Sequence, residues 1–203
     1  MRTAPLITTA CWILLLLYWV ISARSVKQTQ EKSGGIGGYW HYVLAALAFV
    51  LLRHIPVYPL TIPLVPHSAI SDILSSVFAL GGLSTAIVAR RTLASNWSGS
   101  VTFKRDHTLI TTGIYRSIRH PIYTGILLMF VGTAVLVGTL GELIGFLVLL
   151  FTFWFKLKQE EALMRRHFPR EYSAYKNRTK ALIPLRFLTP QPSCKRIVPF
   201  CGF

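Results

Sequence analysis

The sequence predicts an all-α membrane protein, a polytopic bundle of about five transmembrane helices whose last two form a tight hairpin. Only 14% of its 203 residues are charged, against about 25% in soluble domains, and its apolar residues fall in long uncharged runs. In a soluble chain the net charge of +15 would suggest nucleic-acid binding. Here the positive charges flank the apolar runs, so they indicate membrane orientation and no nucleic-acid partner is expected.

Three uncharged runs in the amino-terminal half are long enough to cross a bilayer core of roughly 30 Å. The first lies between residues 2 and 24, and the small residues after it leave a cleaved signal peptide as the alternative to a retained helix. The second and third cover residues 33–52 and 73–89. Between them, prolines over residues 56–66 disfavour a helix and predict a connection outside the membrane or along its surface.

The segment from Pro121 to Phe155 carries one charge, Glu142, and predicts a helical hairpin. As a single helix its 35 residues would extend roughly 52 Å, well beyond the bilayer core, so the chain must fold back. Gly138-Thr139-Leu140-Gly141 supplies a flexible backbone for the turn. We therefore expect transmembrane helices 1–3 in residues 1–92, and a second unit in residues 93–203 with a hairpin over 121–158 and a carboxyl-terminal cytoplasmic segment.

Five spans place residues 23–36, 90–120 and 156–203 on one side of the membrane. These segments hold 20 of the 22 Lys and Arg residues, and Arg2 and Arg53 are the other two. By the positive-inside rule that side is the cytoplasm, with the amino terminus outside and the carboxyl terminus inside. We expect the cell inner membrane in a prokaryote and the endoplasmic reticulum in a eukaryote.

Neither a disulfide framework nor a metal site is predicted. The three cysteines are scattered and lack CxxC spacing, and His41 and His54 have no partners at ligand spacing. Asp72 and Glu142 fall at the far membrane face in this topology, and we assign them no role.

Two cytoplasmic segments beside the hairpin hold groups that a purely structural bundle would not need. Pro121 suits the first turn of a helix, whose exposed amides would favour an anion. Lys156 and Glu160 are four residues apart and share a helix face. Because the hairpin is tight, its cytoplasmic ends are neighbours. We expect a cavity ringed by Tyr115, His120, Tyr123 and Glu160, with Lys156 and Arg119 nearby, which suits both cationic and anionic groups.

Three sequence blocks around the hairpin carry a family resemblance. They read GIYRSIRHPIYTG at 113–125, EEALMRRHF at 160–168 and EYSAYKNR at 171–178. Over residues 95–187 the chain resembles the isoprenylcysteine carboxyl methyltransferase family, which uses S-adenosylmethionine and belongs to a superfamily that includes phospholipid methyltransferases. The resemblance implies methyl transfer to a lipophilic or lipid-attached acceptor from the bilayer, with a carboxylate such as prenylated cysteine as the expected acceptor.

The resemblance also implies roles for individual residues. Glu160 would hold the amino group of the cofactor. Lys156 stands at the position of a substrate-contacting arginine, and lysine lacks the planar guanidinium that binds a carboxylate through two hydrogen bonds. Because a sulfonium methyl is activated and a carboxylate needs no general base, positioning and exclusion of water suffice. The implied catalytic residues are Arg119, Lys156 and Arg178, and the implied cofactor pocket consists of His107, Thr108, Leu109, Ile110, Tyr115, His120, Pro121, Ile122, Tyr123 and Glu160.

Other interpretations remain open from the sequence. A phospholipid amine could be the acceptor, which would require loss of an ammonium proton. Membrane sterol reductases have a similar RHPxYxG hairpin and use NADPH, and a membrane scaffold would keep the fold without turnover. For Glu161 we expect a solvated helix end. Tyr172 and Tyr175, one turn apart, suit packing in a cytoplasmic cap helix as well as ligand contact.

Overall fold

The computed structural model describes residues 3–22, 29–32, 58–94, 97, 102–104 and 109–183. Within these ranges the chain forms five α-helices, one short 3₁₀ helix and a two-stranded antiparallel ribbon. In chain order the elements are α1 (Thr3–Ser22), β1 (Thr29–Lys32), α2 (Ala69–Leu93), β2 (Thr102–Lys104), the 3₁₀ helix (Gly113–Arg116), α3 (Pro121–Val137), α4 (Leu140–His167) and α5 (Pro169–Arg178).

Four of these helices correspond to predicted spans. By length and composition α1, α2 and α4 can each cross a membrane, and α3 is a shorter apolar helix of 17 residues. The predicted second span, residues 33–52, lies outside the described residues. The prediction of an all-α membrane bundle is confirmed.

Local sequence sets the ends of the helices. The α2 helix starts at Ala69 because Ser68 and Ser71 form a capping box, in which the Ser71 amide donates to Ser68 Oγ at 3.1 Å and the Ser68 amide to Ser71 Oγ at 2.9 Å. The α4 helix runs past the predicted end at residue 158 and reaches His167. Pro169 then begins α5, so the chain turns at Phe168.

Small residues bring α2 and α3 into backbone contact. A Cβ atom added to Gly125 would lie 2.6 Å from the carbonyl oxygen of Gly82, and one added to Gly132 would lie 2.7 Å from that of Ser75. In lipid, helices associate through such close packing and not through burial from water. The residues of α2 that form this face are buried and small: Ser75, Ala79, Gly82, Ala86 and Ala89.

The first helix is part of the same core. Cys11 and Leu15 pack in a buried cluster with Ala79 of α2, and the indole of Trp12 donates to Thr133 Oγ1 of α3 at 3.0 Å. The first helix therefore packs against both α2 and α3, and its retention in the mature protein stays a prediction.

The proline-rich connection packs on the turn of the hairpin. Gly138 ends α3 in the left-handed conformation, with φ of +70°, and its carbonyl accepts the amides of Leu64 and Val65 at 2.7 and 3.1 Å. The amide of Leu140 donates to Ile62 O at 3.0 Å. The connection therefore covers one end of the hairpin, and Glu142, in the first turn of α4, is buried there.

Arg90 joins the carboxyl ends of α1 and α2 at the other end of the bundle. Its buried guanidinium donates to the carbonyl oxygens of Ser22 at 2.7 Å and Ala94 at 2.6 Å, and lies 4.5 Å from the ring centre of Trp97. The last carbonyls of a helix lack intrahelical partners, so a cation suits this position.

Candidate active site

The loop before α3, residues 117–120, runs beside residues 179–182, which follow α5 and are termed the carboxyl-terminal strap. The Arg119 amide donates to Lys180 O at 2.8 Å and the His120 amide to Ala181 O at 3.0 Å. Thr124 Oγ1 donates to Leu182 O at 2.6 Å. The strap carbonyls therefore accept the amides of the two residues before Pro121. The predicted anion preference of the amides in the first helical turn stays a prediction.

The hairpin brings three predicted site residues together beside Glu160. The Tyr123 hydroxyl donates to Glu160 Oε1 at 2.5 Å, and His120 Nδ1 lies 3.6 Å from Glu160 Oε2. The ammonium of Lys156 lies 5.2 Å from the centre of the Tyr123 ring. Lys156 is buried, whereas the Glu160 side chain keeps 24% of its surface exposed. The site thus presents an accessible carboxylate surrounded by a cation and aromatic rings.

Aromatic packing holds the ring of Tyr123 in place. The His120 ring is stacked on it, 5.6 Å between centres and 7° between planes, and Phe153 of α4 lies 4.9 Å away on a tilted plane. Tyr115 and Ile122 are buried in the same apolar cluster, and Ile110 packs against it. Pro121 is fully buried and Leu109 is partly buried.

The tyrosines of α5 are packing residues in this structure. Tyr172 and Tyr175 are buried, and the Tyr175 hydroxyl donates to the carbonyl oxygen of Tyr115 at 2.7 Å. Burial raises the pKa of Tyr175 to about 12, so this hydroxyl stays a neutral donor near pH 7. The contact fixes α5 against the 3₁₀ helix.

Glu161 is buried, and the prediction of a solvated helix end is wrong. Its carboxylate contacts Arg119 Nε at 2.9 Å and Lys176 Nζ at 2.9 Å, and its side chain is 3% exposed. The amino-acid composition contains a signal that favours a paired Glu161. With 7 acidic against 22 basic residues, a carboxylate among many cations is expected to be paired.

Two implied catalytic residues lie away from the accessible carboxylate. The Arg119 guanidinium faces Glu161 and the strap, where it also donates to Thr179 O. Arg178 is exposed, and its Nε donates to Ala174 O of its own helix at 3.3 Å. The implied roles of Arg119, Lys156 and Arg178 stay predictions. His107 and Thr108 lie outside the described residues.

The position of His120 predicts a pH-dependent stability. Burial lowers the pKa of His120, but contacts with Glu160 and Glu161 raise it more, and the result lies above the ordinary 6.5. Arg119 and Lys156 are the nearby cations. The stabilisation by protonated His120 is therefore complete below the unfolded-state pKa and disappears as the pH rises through the folded-state pKa.

We expect the stability advantage of the wild type over His120→Gln to be largest near pH 6 and to shrink toward pH 9, by about 1.4 kcal/mol for each unit by which the folded-state pKa is raised. Thermal unfolding in detergent at a series of pH values measures this difference. An advantage that grows with pH would contradict the prediction.

Comparison with known proteins decides the family. The family model for phospholipid methyltransferase matches residues 72–171. Protein-S-isoprenylcysteine O-methyltransferase B of Arabidopsis thaliana is 31% identical over 151 residues, which are 71% of this chain and 74% of that protein. The chain belongs to the isoprenylcysteine carboxyl methyltransferase family. As a member of it, the chain is a membrane methyltransferase that uses a methyl donor, and the reductase and phospholipid-amine interpretations are not favoured.

Other relatives of this methyltransferase align over shorter ranges. Protein-S-isoprenylcysteine O-methyltransferase of Saccharomyces cerevisiae is 31% identical over 115 residues, 55% of this chain and 48% of the relative. That of Schizosaccharomyces pombe is 34% identical over 82 residues, 40% of this chain and 35% of the relative.

Proposed function

We propose that this methyltransferase transfers a methyl group from S-adenosylmethionine to the carboxylate of a prenylated cysteine or a similar lipid-attached carboxylate. The observation that carries the proposal is the accessible Glu160 carboxylate beside the buried ammonium of Lys156, where α3 and α4 meet. A carboxylate suits the amino group of the donor, and a cation suits the anionic acceptor.

The residues present fit the donor. Glu160 would hold its amino group, and the stacked rings of His120 and Tyr123 offer aromatic faces next to that carboxylate, which suit a cation. His120 Nε2 is buried and lies 3.6 Å from Glu161 Oε1, on the side of the ring away from Glu160. When bound, S-adenosylmethionine supplies an electrophilic methyl group. The remaining wall of the proposed pocket consists of His107, Thr108, Leu109, Ile110, Tyr115, Pro121 and Ile122.

Lys156 would orient the acceptor. Its ammonium is a compact charge that attracts a carboxylate without imposing bidentate geometry. Phe151, Trp154 and Phe155, which precede it on α4, are exposed apolar side chains. An apolar chain in the bilayer can therefore contact α4 at the level of Lys156, whose own side chain points to another face of the helix. A carboxylate needs no general base, so these side chains act by alignment and by keeping water out.

The proposed orientation puts this site at the cytoplasmic surface. Arg90, Arg91, Arg119 and Lys156 share one end of the bundle, and the covered hairpin turn lies at the other. Such an asymmetry of basic residues favours the cytoplasmic side. In this proposal residues 93–203 carry the site, residues 1–92 supply supporting helices, and Arg178 lies on the exposed face of α5, where it can meet the soluble part of an acceptor.

Ligand-dependent stability and product analysis test the proposal. S-adenosylhomocysteine, at about 100 times its dissociation constant, should stabilise the purified protein by about 2.7 kcal/mol, and NADPH should not. The methyl-labelled donor with N-acetyl-S-farnesylcysteine should yield a labelled, base-labile ester. Stabilisation by NADPH alone would contradict the proposal. Label recovered only in phospholipid amines would contradict the proposed acceptor.

A further inference from the structure

Glu161 stands next to the proposed donor-binding carboxylate but faces a different set of groups. Consecutive residues on an α-helix point about 100° apart, so Glu160 and Glu161 cannot serve the same surface. Glu160 is 24% exposed and Glu161 is 3% exposed. We propose that Glu161 is a positioning residue that holds the loop 117–120 and the strap together, and thereby fixes His120 and Glu160 for donor binding. This inference rests on the proposed function of Glu160.

Both carboxylate oxygens of Glu161 have cationic partners. Oε1 accepts from Arg119 Nε at 2.9 Å and lies 3.6 Å from His120 Nε2, and Oε2 accepts from Lys176 Nζ at 2.9 Å. A buried charge needs close partners to offset its loss of hydration, and removing one member leaves the others uncompensated. The side chain therefore connects three segments: the loop, α4 and α5.

Arg119 extends this connection into the strap. One guanidinium nitrogen donates to Lys176 O at 3.0 Å and to Thr179 O, while the Arg119 backbone amide donates to Lys180 O at 2.8 Å. The Arg119 guanidinium therefore contacts both Glu161 and the strap. The strap in turn accepts the amide of His120.

His120 links Glu161 to the proposed donor site, because its ring lies between Glu161 and Glu160. Its two ring nitrogens each lie 3.6 Å from a carboxylate, Nδ1 from Glu160 and Nε2 from Glu161. Contacts on both sides therefore set the orientation of the His120 ring. Because this ring stacks on Tyr123, it also orients the Tyr123 hydroxyl, which donates a hydrogen bond to Glu160. Loss of the Glu161 charge would release one side of this arrangement.

Steady-state kinetics of the full-length chain in lipid nanodiscs tests the inference. In Glu161→Gln we expect the KM for S-adenosylmethionine to rise roughly tenfold or more, as when a residue that orients a charged ligand group is removed. The kcat and the KM for the farnesylated acceptor should change much less than the KM for the donor. Glu161→Asp should recover part of the loss. Glu171→Gln, on the exposed face of α5, is the matched control and should behave as wild type.

A merely structural role would reduce the active fraction, and thus kcat, without changing the KM for the donor, so that pattern would overturn the inference. If Glu161→Gln does not fold, Lys176→Met removes one partner of the same carboxylate from a half-exposed position. It should raise the donor KM in the same direction but less, and an unchanged KM would again overturn the inference. A wild-type protein that binds no S-adenosylhomocysteine would contradict the proposed function, whereas normal donor kinetics in Glu161→Gln would contradict this inference alone.

Discussion

Glu160→Gln is expected to abolish methyl transfer by removing the charge that binds the donor. Glutamine has nearly the same shape but no charge, so it offers the donor's amino group a much weaker partner. A bound donor would cover Glu160 and form a buried charge pair with it, and truncating one partner of such a pair costs about 2–5 kcal/mol, a loss of binding of roughly 30-fold to several thousandfold. Isothermal titration with S-adenosylhomocysteine measures the affinity, and radiolabel transfer measures the rate.

Glu171, an exposed residue of α5, provides the control for this variant. Glu171→Gln makes the same chemical change on the exposed surface of α5, and it should leave affinity and rate within a factor of about two, because surface substitutions rarely matter beyond ±0.5 kcal/mol. Unaltered transfer in Glu160→Gln would reject the proposed donor site and leave the membership in the family untouched.

Gly82→Ala is expected to destabilise the bundle strongly, although it adds a single methyl group. That methyl would lie 2.7 Å from Met129 Cγ and 2.8 Å from the Met129 amide nitrogen of α3. The backbone atom cannot move without shifting its helix, so α2 and α3 would have to separate. Overpacking of this kind costs about 1–3 kcal/mol. Thermal unfolding followed by size-exclusion chromatography in detergent should show a lower midpoint and a smaller monodisperse fraction.

The adjacent glycine makes a matched control. A Cβ at Gly81 would meet nothing within 4 Å, so Gly81→Ala adds the same methyl group to open space on the same helix. It should be neutral or slightly stabilising, since alanine is favoured over glycine in a helix by up to about 1 kcal/mol. Equal loss of stability in both variants would show that the helix, and not its contact with α3, is sensitive.

The position of the hairpin followed from the sequence because two independent constraints agreed. The uncharged run from Pro121 to Phe155 is too long for one crossing, and glycine stands where the chain has to reverse. The left-handed Gly138 is where α3 ends. From this turn, the meeting of His120 and Tyr123 with Glu160 follows by helix geometry alone.

The sequence does not predict which segments distant in the chain contact each other. Nothing in the spacing of residues 176–182 shows that their carbonyl groups accept the amides and the guanidinium of Arg119, because backbone acceptors carry no residue-specific signal. The pairing of Glu161 depends on these same contacts, so its place in the sequence does not identify which cations it meets. The close approach of Gly82 and Gly125 likewise involves two helices whose registers the sequence does not fix.

The strap also sets an order in which the parts of this site can assemble during biosynthesis. Residues 179–182 hydrogen-bond to the loop at 117–120 and to Thr124, so the loop stays unsupported until the chain has been translated through Leu182 and released from the ribosomal tunnel. The transmembrane helices can insert and pack before this point, because their contacts involve earlier residues. Nascent chains that have not yet exposed Leu182 would therefore be embedded in the membrane with the loop at 117–120 still without its partner segment.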